Sequence, residues 1–491
     1  MRPRRPNDGD MRFSVVIRYI GMVLLVLAAF MLLAAGISYL SNMDTGYYPL
    51  LMSSLLTLLL GCFPMIFVPR TDRISTKEGY CIVVGAWIVS SVVGMFPYLM
   101  WGGEFSPMNA WFESVSGFTT TGASILNNVE ALPRGLHFWR MATCWVGGIG
   151  VVMFTLVILP SIGKSKMMLS NVELSSLAKD NFNYRTQTIV KIILSVYIGL
   201  TAVTILLLKL GGMCWFDALC YAMSTCSTCG FGTKNTSVAF FDSAVIEAVL
   251  IFGMAVAGIH FGLIYATVTR KANNIFRSEV TRFYLWTIAV SAVLMALSLR
   301  KADVYPSMIA SLRYSLFQTV SYITTTGFAI ADCNTWTSFA MLILIFCSIV
   351  CACAGSTSGG LKIDRLLLAV KMMRNRLRRQ QHPNAIFRTK VDGIPQDKDM
   401  LNTVMVYTVA FMMMILAGTF TNTLLGADLM TGFSSAVACA GNVGPGFGEV
   451  GSMDNYSAMP SVMKLNLTFL MLLGRLEIFG LIQLFFIRWW R

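Results

Sequence analysis

The chain has 491 residues, of which 56% are hydrophobic and 13% charged, and its mean hydropathy is +0.66; a soluble domain carries about 25% charged residues. A soluble fold is excluded. The formal net charge of +14 does not point to nucleic acid, because the Lys and Arg residues gather in short stretches between apolar runs, as the positive-inside rule describes for cytoplasmic loops.

Apolar runs of about 20 residues, enough to cross a bilayer, recur along the chain. Their periodicity predicts helices near 12–40, 48–68, 80–101, 138–160, 188–210, 240–268, 283–299, 336–372, 400–425 and 461–488, about ten crossings. The polar opening from Met1 to Asp10 precedes an apolar run too long for a signal-peptide core, so that run reads as an uncleaved first helix. Basic loops carry Arg70, Arg73 and Lys77, then Lys164, Lys166, Lys179 and Arg185, then Arg270, Lys271, Arg277 and Arg282, then Lys371, Arg374, Arg376, Arg378 and Arg379. All fall on one side, expected to be cytoplasmic, together with both termini. Residues 374–400, rich in Arg, Gln and Pro, read as a solvated loop rather than a domain. The twelve Cys lie mostly inside apolar spans without zinc spacing, and so read as small core residues rather than a disulfide framework.

On the opposite side, four connections contain an amphipathic stretch too short to cross, followed by a polar, glycine-bearing segment. WFESVSGFTTTGAS, LCYAMSTCSTCGFG, LFQTVSYITTTGFA and FSSAVACAGNVGPG align without gaps on Gly122, Gly230, Gly327 and Gly444. One residue earlier stand Thr121, Cys229, Thr326 and Val443, and two earlier stand Thr120, Thr228, Thr325 and Asn442. Apolar residues seven and eleven positions before each glycine, such as Val115 and Trp111, mark one face of a short helix. The expected fold is therefore an all-α polytopic membrane protein. An N-terminal helix pair (1–70) precedes four tandem helix–pore loop–helix repeats around one pore, at 71–165, 166–275, 276–390 and 391–491.

Extended backbone at membrane depth is tolerated only where it lines a watery cavity or is buried in protein, so the four loops are expected to face a pore. A dehydrated cation needs a ring of oxygens, and four glycine-containing strands whose carbonyls replace water meet that need. Thr120, Thr228 and Thr325 would add hydroxyl oxygens at the lower edge and Asn442 an amide oxygen. The glycines allow dihedrals closed to other residues.

These residues resemble the Trk, Ktr and HKT superfamily of potassium transporters, most closely the TrkH type with its extra N-terminal helix pair. The resemblance rests on SGFTTTGAS, HFWRMATCWVGGIGVVMF, STCSTCGFGT, SYITTTGFA, CAGSTSGGLKIDR and AGNVGPGFGEVG, and covers nearly the whole chain. It implies potassium uptake through one filter per subunit, a homodimer in the bacterial inner membrane, and gating by a separate cytosolic nucleotide-binding subunit of the TrkA type. Potassium is then the transported ion at the filter, and no cofactor is implied in this chain. Cys229 stands where related proteins usually have a small residue, although its backbone carbonyl still serves. The C-x-x-C of Cys226 and Cys229 lacks further ligands and does not read as a metal or redox pair.

The polar break Gly355, Ser356, Thr357, Ser358, Gly359 and Gly360 inside an apolar span marks either unwound backbone beside a cavity or simply the end of one helix and the start of another. By resemblance it is a gate beneath the filter. Arg475 would be costly facing lipid; it either sets a barrier below the filter, as the resemblance implies, or pairs with Glu477 or another carboxylate. Glu113 and Asp217 either enrich cations near the outer mouth or are satisfied by their neighbours. Lys362, Asp364 and Arg365 are expected near the cytoplasmic surface, the last two as partner contacts. His260 reads as a core histidine rather than a proton relay. A sodium-permeable or proton-coupled symporter on the same scaffold stays open. An intramembrane enzyme does not fit, because the three histidines, at 137, 260 and 382, sit in no recognisable catalytic motif.

Overall fold

A computed structural model describes residues 12–69, 75–158, 186–270, 274–382, 384–385 and 387–476, with side chains at 76, 151–158 and 186–189 left aside. Met1 to Met11, the basic residues Arg70, Arg73, Lys164, Lys166, Lys179, Arg185 and Lys271, and Glu477 lie outside the described residues.

The first two helices, α1 (Phe13–Leu40) and α2 (Tyr47–Phe67), pack on each other as an antiparallel pair, and α1 also rests on the first repeat. The first repeat then runs through α3 (Thr76–Gly94), α4 (Phe96–Trp101), the short α5 (Pro107–Phe118) and α6 (Arg134–Ile158). A capping box starts α3: Ser75 accepts from the Glu78 N–H while Glu78 reaches back to the Ser75 N–H. The second repeat comprises α7 (Thr186–Leu210), α8 (Trp215–Ser227), α9 (Ala244–Ala257) and α10 (Phe261–Val268). The third comprises α11 (Glu279–Lys301), α12 (Met308–Ile323), α13 (Ser338–Val350) and α14 (Ile363–Gln381). The fourth comprises α15 (Lys398–Leu424), α16 (Leu429–Ala440) and α17 (Ser461–Arg475).

Six helices among the described residues are long and apolar enough to cross a membrane, or seven if α9 and α10 count as one span. The differences from the expected spans are informative. The 240–268 helix is two helices bent by 105°, because His260 caps α10 by accepting from the Gly262 N–H at 3.0 Å while the Gly258 carbonyl turns away to accept from the Cys353 N–H at 3.1 Å. The 336–372 span stops at Val350 and resumes only at Ile363, a wider break than its glycines suggest. Residues 374–381 are not loop: α14 carries its Arg-rich face to Gln381, and a small antiparallel hairpin, β1 (Lys390–Val391) with β2 (Ile394–Pro395), follows it.

The short helices α5, α8, α12 and α16 occupy equivalent places. Each is N-capped by a side chain at its outer end: Ser106, Cys214, Ser307 and Asp428 accept from the N–H groups of Asn109, Asp217, Ala310 and Thr431. The closing helix of each repeat packs on the short helix of the next: α6 on α8, α9 on α12, α13 on α16, and α17 back on α5. Four tandem units thus close into a ring.

Candidate filter and gate

The ring closes at atomic detail where the four glycines lie. Gly122, Gly230, Gly327 and Gly444 have φ of +77°, +91°, +78° and +97°. A Cβ on Gly122 would overlap the carbonyl of Cys229; on Gly230, that of Thr326; on Gly327, that of Val443; and on Gly444, that of Thr121. Each glycine therefore abuts the carbonyl preceding the glycine of the next repeat, in the order one, two, three, four, one. The residues two places earlier, Thr120, Thr228, Thr325 and Asn442, take left-handed φ of +53°, +54°, +60° and +54°. The four glycines and the residues just before them, singled out from sequence, are thus brought together in one ring.

The backbone hydrogen bonds show where the donors of these strands go. In every repeat the N–H one residue before the glycine donates back to the carbonyl six before it: Thr121 to Ser116 at 2.9 Å, Cys229 to Ser224 at 3.0 Å, Thr326 to Ser321 at 2.9 Å and Val443 to Ala438 at 2.8 Å. The N–H groups of Thr120, Thr228, Thr325 and Asn442 likewise return to the last turn of their short helices. These donors are thereby satisfied within their own repeats. The C-terminal ends of the four short helices point at the same place, adding partial negative charge.

Side chains at the lower edge differ. The Thr120 hydroxyl and the Asn442 Oδ1 are buried with no hydrogen-bond partner, as expected of groups that serve water or an ion. The Thr228 hydroxyl donates to the Ser227 carbonyl at 2.7 Å, and that of Thr325 accepts from the Gly359 N–H at 3.0 Å. In the fourth repeat the Gly444 carbonyl itself accepts from the Tyr456 hydroxyl at 2.7 Å.

Below this ring lies the 355–360 loop. Ser356, Thr357, Ser358, Gly359 and Gly360 are buried. Thr357 Oγ1 donates to the Cys226 carbonyl at 3.0 Å, tying the loop to α8, and the Gly359 bond to Thr325 ties it to the third filter strand. A Cβ on Gly359 would meet the Gly441 carbonyl at 2.6 Å, so only glycine passes under the fourth strand. On its other flank the Gly355 carbonyl accepts from the Phe261 N–H at 3.2 Å and the His260 ring presses on Gly355. Arg475, 5% exposed, donates to the Thr357 carbonyl at 2.6 Å and to the Gly147 carbonyl of α6 at 3.3 Å. Among the described residues no carboxylate pairs with it.

Several expected roles change. Glu113 is fully buried, and Arg140 Nε and Nη2 reach its Oε1 at 2.8 and 2.6 Å; the Ser124 hydroxyl and the Ile125 N–H also donate to it. It is a structural anchor, not a mouth charge. Asp217 accepts from the Thr233 hydroxyl at 2.7 Å. Arg365 is 4% exposed and stacked 3.8 Å over the Tyr407 ring, so it is no partner contact, and Asp364 closes the loop by accepting from the Ala354 N–H at 2.6 Å. Lys362 folds back to the Ser358 carbonyl.

Arg140 was not singled out from sequence. It also donates to the Gly232 carbonyl at 3.3 Å and lies 4.0 Å over the Phe231 ring, bridging the strands that leave the first and second filter segments. A signal existed: nine residues before the glycines stand Glu113, Tyr221, Gln318 and Ser435. Three of these reach forward to the departing strand, Tyr221 to the Ser237 carbonyl and Gln318 to the Ala331 carbonyl. Cys144 was also missed. Its side chain meets that of Cys229, with Cα atoms 6.0 Å apart, while Cys226 is free.

A family model described as TrkH, cation transport protein, matches residues 64–489. The Salmonella typhimurium protein named Trk system potassium uptake protein TrkH is 31% identical over 489 residues, covering 98% of this chain and 100% of that protein. The Escherichia coli K12 protein of the same name is 31% identical with the same coverage, and the Halomonas elongata Trk system potassium uptake protein TrkI is 30% identical, covering 99% of each. The crystal structure of the potassium transporter TrkH from Vibrio parahaemolyticus has a TM-score of 0.88 and 28% identity, covering 98% of this chain and 100% of that one.

Proposed function

Because the chain belongs to the TrkH family of cation transport proteins, we propose that it is the ion-translocating subunit of a potassium uptake system. It is a membrane transporter rather than an enzyme. The observation that carries the reading is the closed ring of four glycine strands, each with its N–H groups tied back to a short helix.

In this reading K+ sheds its water at the ring, where inward carbonyls of the twelve filter residues replace the hydration shell. Thr120 and Asn442 offer their unpartnered oxygens at the lower edge. The fixed hydrogen bonds make the ring's size resistant to collapse around a smaller ion. The 355–360 loop then blocks the descent, and Arg475 raises the energy of any cation beneath the ring, since its charge lies in a low-dielectric interior. Opening requires the loop to leave Thr325, Cys226 and Arg475 together.

The loop touches or bonds elements of the second, third and fourth repeats, and through Arg475 the first. A movement between repeats is therefore felt at the gate. On this reading the basic loops face the cytoplasm of the bacterial inner membrane, both termini lie there, and a cytosolic TrkA-like nucleotide-binding subunit docks on that face of a homodimer. The chain is divided into a helix pair at 1–70 and four pore repeats; the family model begins at residue 64, beyond most of that pair.

The test is cation flux into liposomes holding the purified protein alone. Potassium and rubidium should pass down their gradients while sodium and lithium are excluded, with or without a proton gradient. Equal sodium flux, or flux that needs protons, would replace the selective-channel reading by a sodium-permeable or proton-coupled one.

A further inference from the structure

The second filter strand is held differently from its neighbours. In the first and third repeats the hydroxyl before the glycine pairs with one two residues earlier, Thr121 with Thr119 and Thr326 with Thr324, both at 2.8 Å. In the second repeat Ser227 turns away and donates to the Met223 carbonyl at 2.8 Å, so Cys229 has no such partner. Its side chain reaches instead to Cys144, in the middle of α6, the helix packed against α8. Both cysteines are completely buried, and their Cα atoms are 6.0 Å apart, within the span a disulfide bridges.

We infer that the Cys144–Cys229 bond is a covalent modification that pins the second filter strand to the first repeat and sets ion selectivity there. The inference rests on the filter reading above. The Cys229 carbonyl abuts Gly122 of the first strand, so a tether on Cys229 also fixes the contact between the first two strands. Where the first and third repeats rely on exchangeable hydrogen bonds, this one relies on a bond that does not exchange.

Formation of the bond is an oxidation. The Cys144 and Cys229 thiols give up two protons and two electrons to a disulfide-class oxidant, R–S–S–R, through a mixed disulfide; the S–S bond forms and two R–SH leave. Because both sulfurs are buried in the folded chain, exchange must occur before α6 and α8 close over them. Once made, the bond is shielded from reductants.

Two measurements test this. The purified, unreduced protein is denatured and alkylated, then mapped by mass spectrometry. Ten cysteines should carry the label, those at 62, 81, 214, 220, 226, 333, 347, 351, 353 and 439, and a cross-linked peptide should join Cys144 to Cys229. Labelling of Cys144 and Cys229 throughout the sample would overturn the modification. In liposomes, Cys144→Ser, Cys229→Ser and the double variant should each lower the potassium-to-sodium flux ratio by the same factor, roughly fivefold, because any one of them removes the same bond. Cys62→Ser, on α2 and away from the filter and gate, should leave it unchanged. A cross-linked wild type whose folded variants all keep the original ratio would overturn the role in selectivity. Failure of the filter reading is distinguishable, since then Gly327→Ser would also leave selectivity unchanged while the peptide map stayed cross-linked.

Discussion

The guanidinium of Arg475 donates to the carbonyl of Thr357 at 2.6 Å, joining the last described helix to the centre of the buried loop under the filter. On the proposed reading, a positive charge is thereby held beneath the ring by the backbone of the gate loop. Arg475→Ala removes both the charge and the latch, and should raise potassium flux by the protein alone by roughly tenfold or more. Arg475→Lys, which keeps the charge but cannot fork between Thr357 and Gly147, should fall in between. Equal flux in all three proteins, with matched monodispersity, would remove Arg475 from the gate.

Shortening Gly355 to Gly360 by two residues should also raise basal flux, because the loop then cannot reach Cys226 and Thr325 at once. Unchanged flux from a well-folded variant would mean that the loop is a structural connection only.

At Gly327 a side chain is opposed twice, by the positive φ and by the Val443 carbonyl. Gly327→Ser should therefore widen the ring at that corner and let sodium pass. The readout is the sodium-to-potassium flux ratio, expected to rise roughly tenfold, with membrane insertion intact. A variant that still excludes sodium as the parent does would remove that strand from the filter.

Glu113 and Arg140 form a fully buried ion pair. Removing one partner strands the other charge, so Glu113→Gln should destabilise the protein by about 3–5 kcal/mol, whereas Glu113→Gln with Arg140→Met should recover part of that loss. Thermal unfolding in detergent measures both. Additive losses in the double variant would mean that the two residues do not act as a pair.

Much of the architecture was legible because lipid restricts it. Apolar runs of the right length must be helices, and polar glycine segments between them must be buried or line water. Four gap-free copies made the glycine positions recognisable, and the geometry places all four at equivalent points of one ring. The break in the third repeat was legible for the same reason, although its extent was not: Cys351 and Leu361 carry no helix-breaking signal, yet the helix ends at Val350 and resumes only at Ile363. The bend at His260 was hidden because Gly258 and His260 sit in an apolar run and are diverted by a partner about a hundred residues away, Cys353.

The sequence by itself determined that this is a membrane protein of four repeats with a glycine at the equivalent position of each, since hydropathy and periodicity are local properties of the chain. Only the tertiary structure decided which neighbour each glycine meets, that Glu113 answers Arg140, that Arg475 grips Thr357, and that Cys229 meets Cys144. These are pairings between residues tens to hundreds of positions apart, and they exist because closing four units into a ring brings distant backbone and buried charge to the same place, where each unmet group must find a partner.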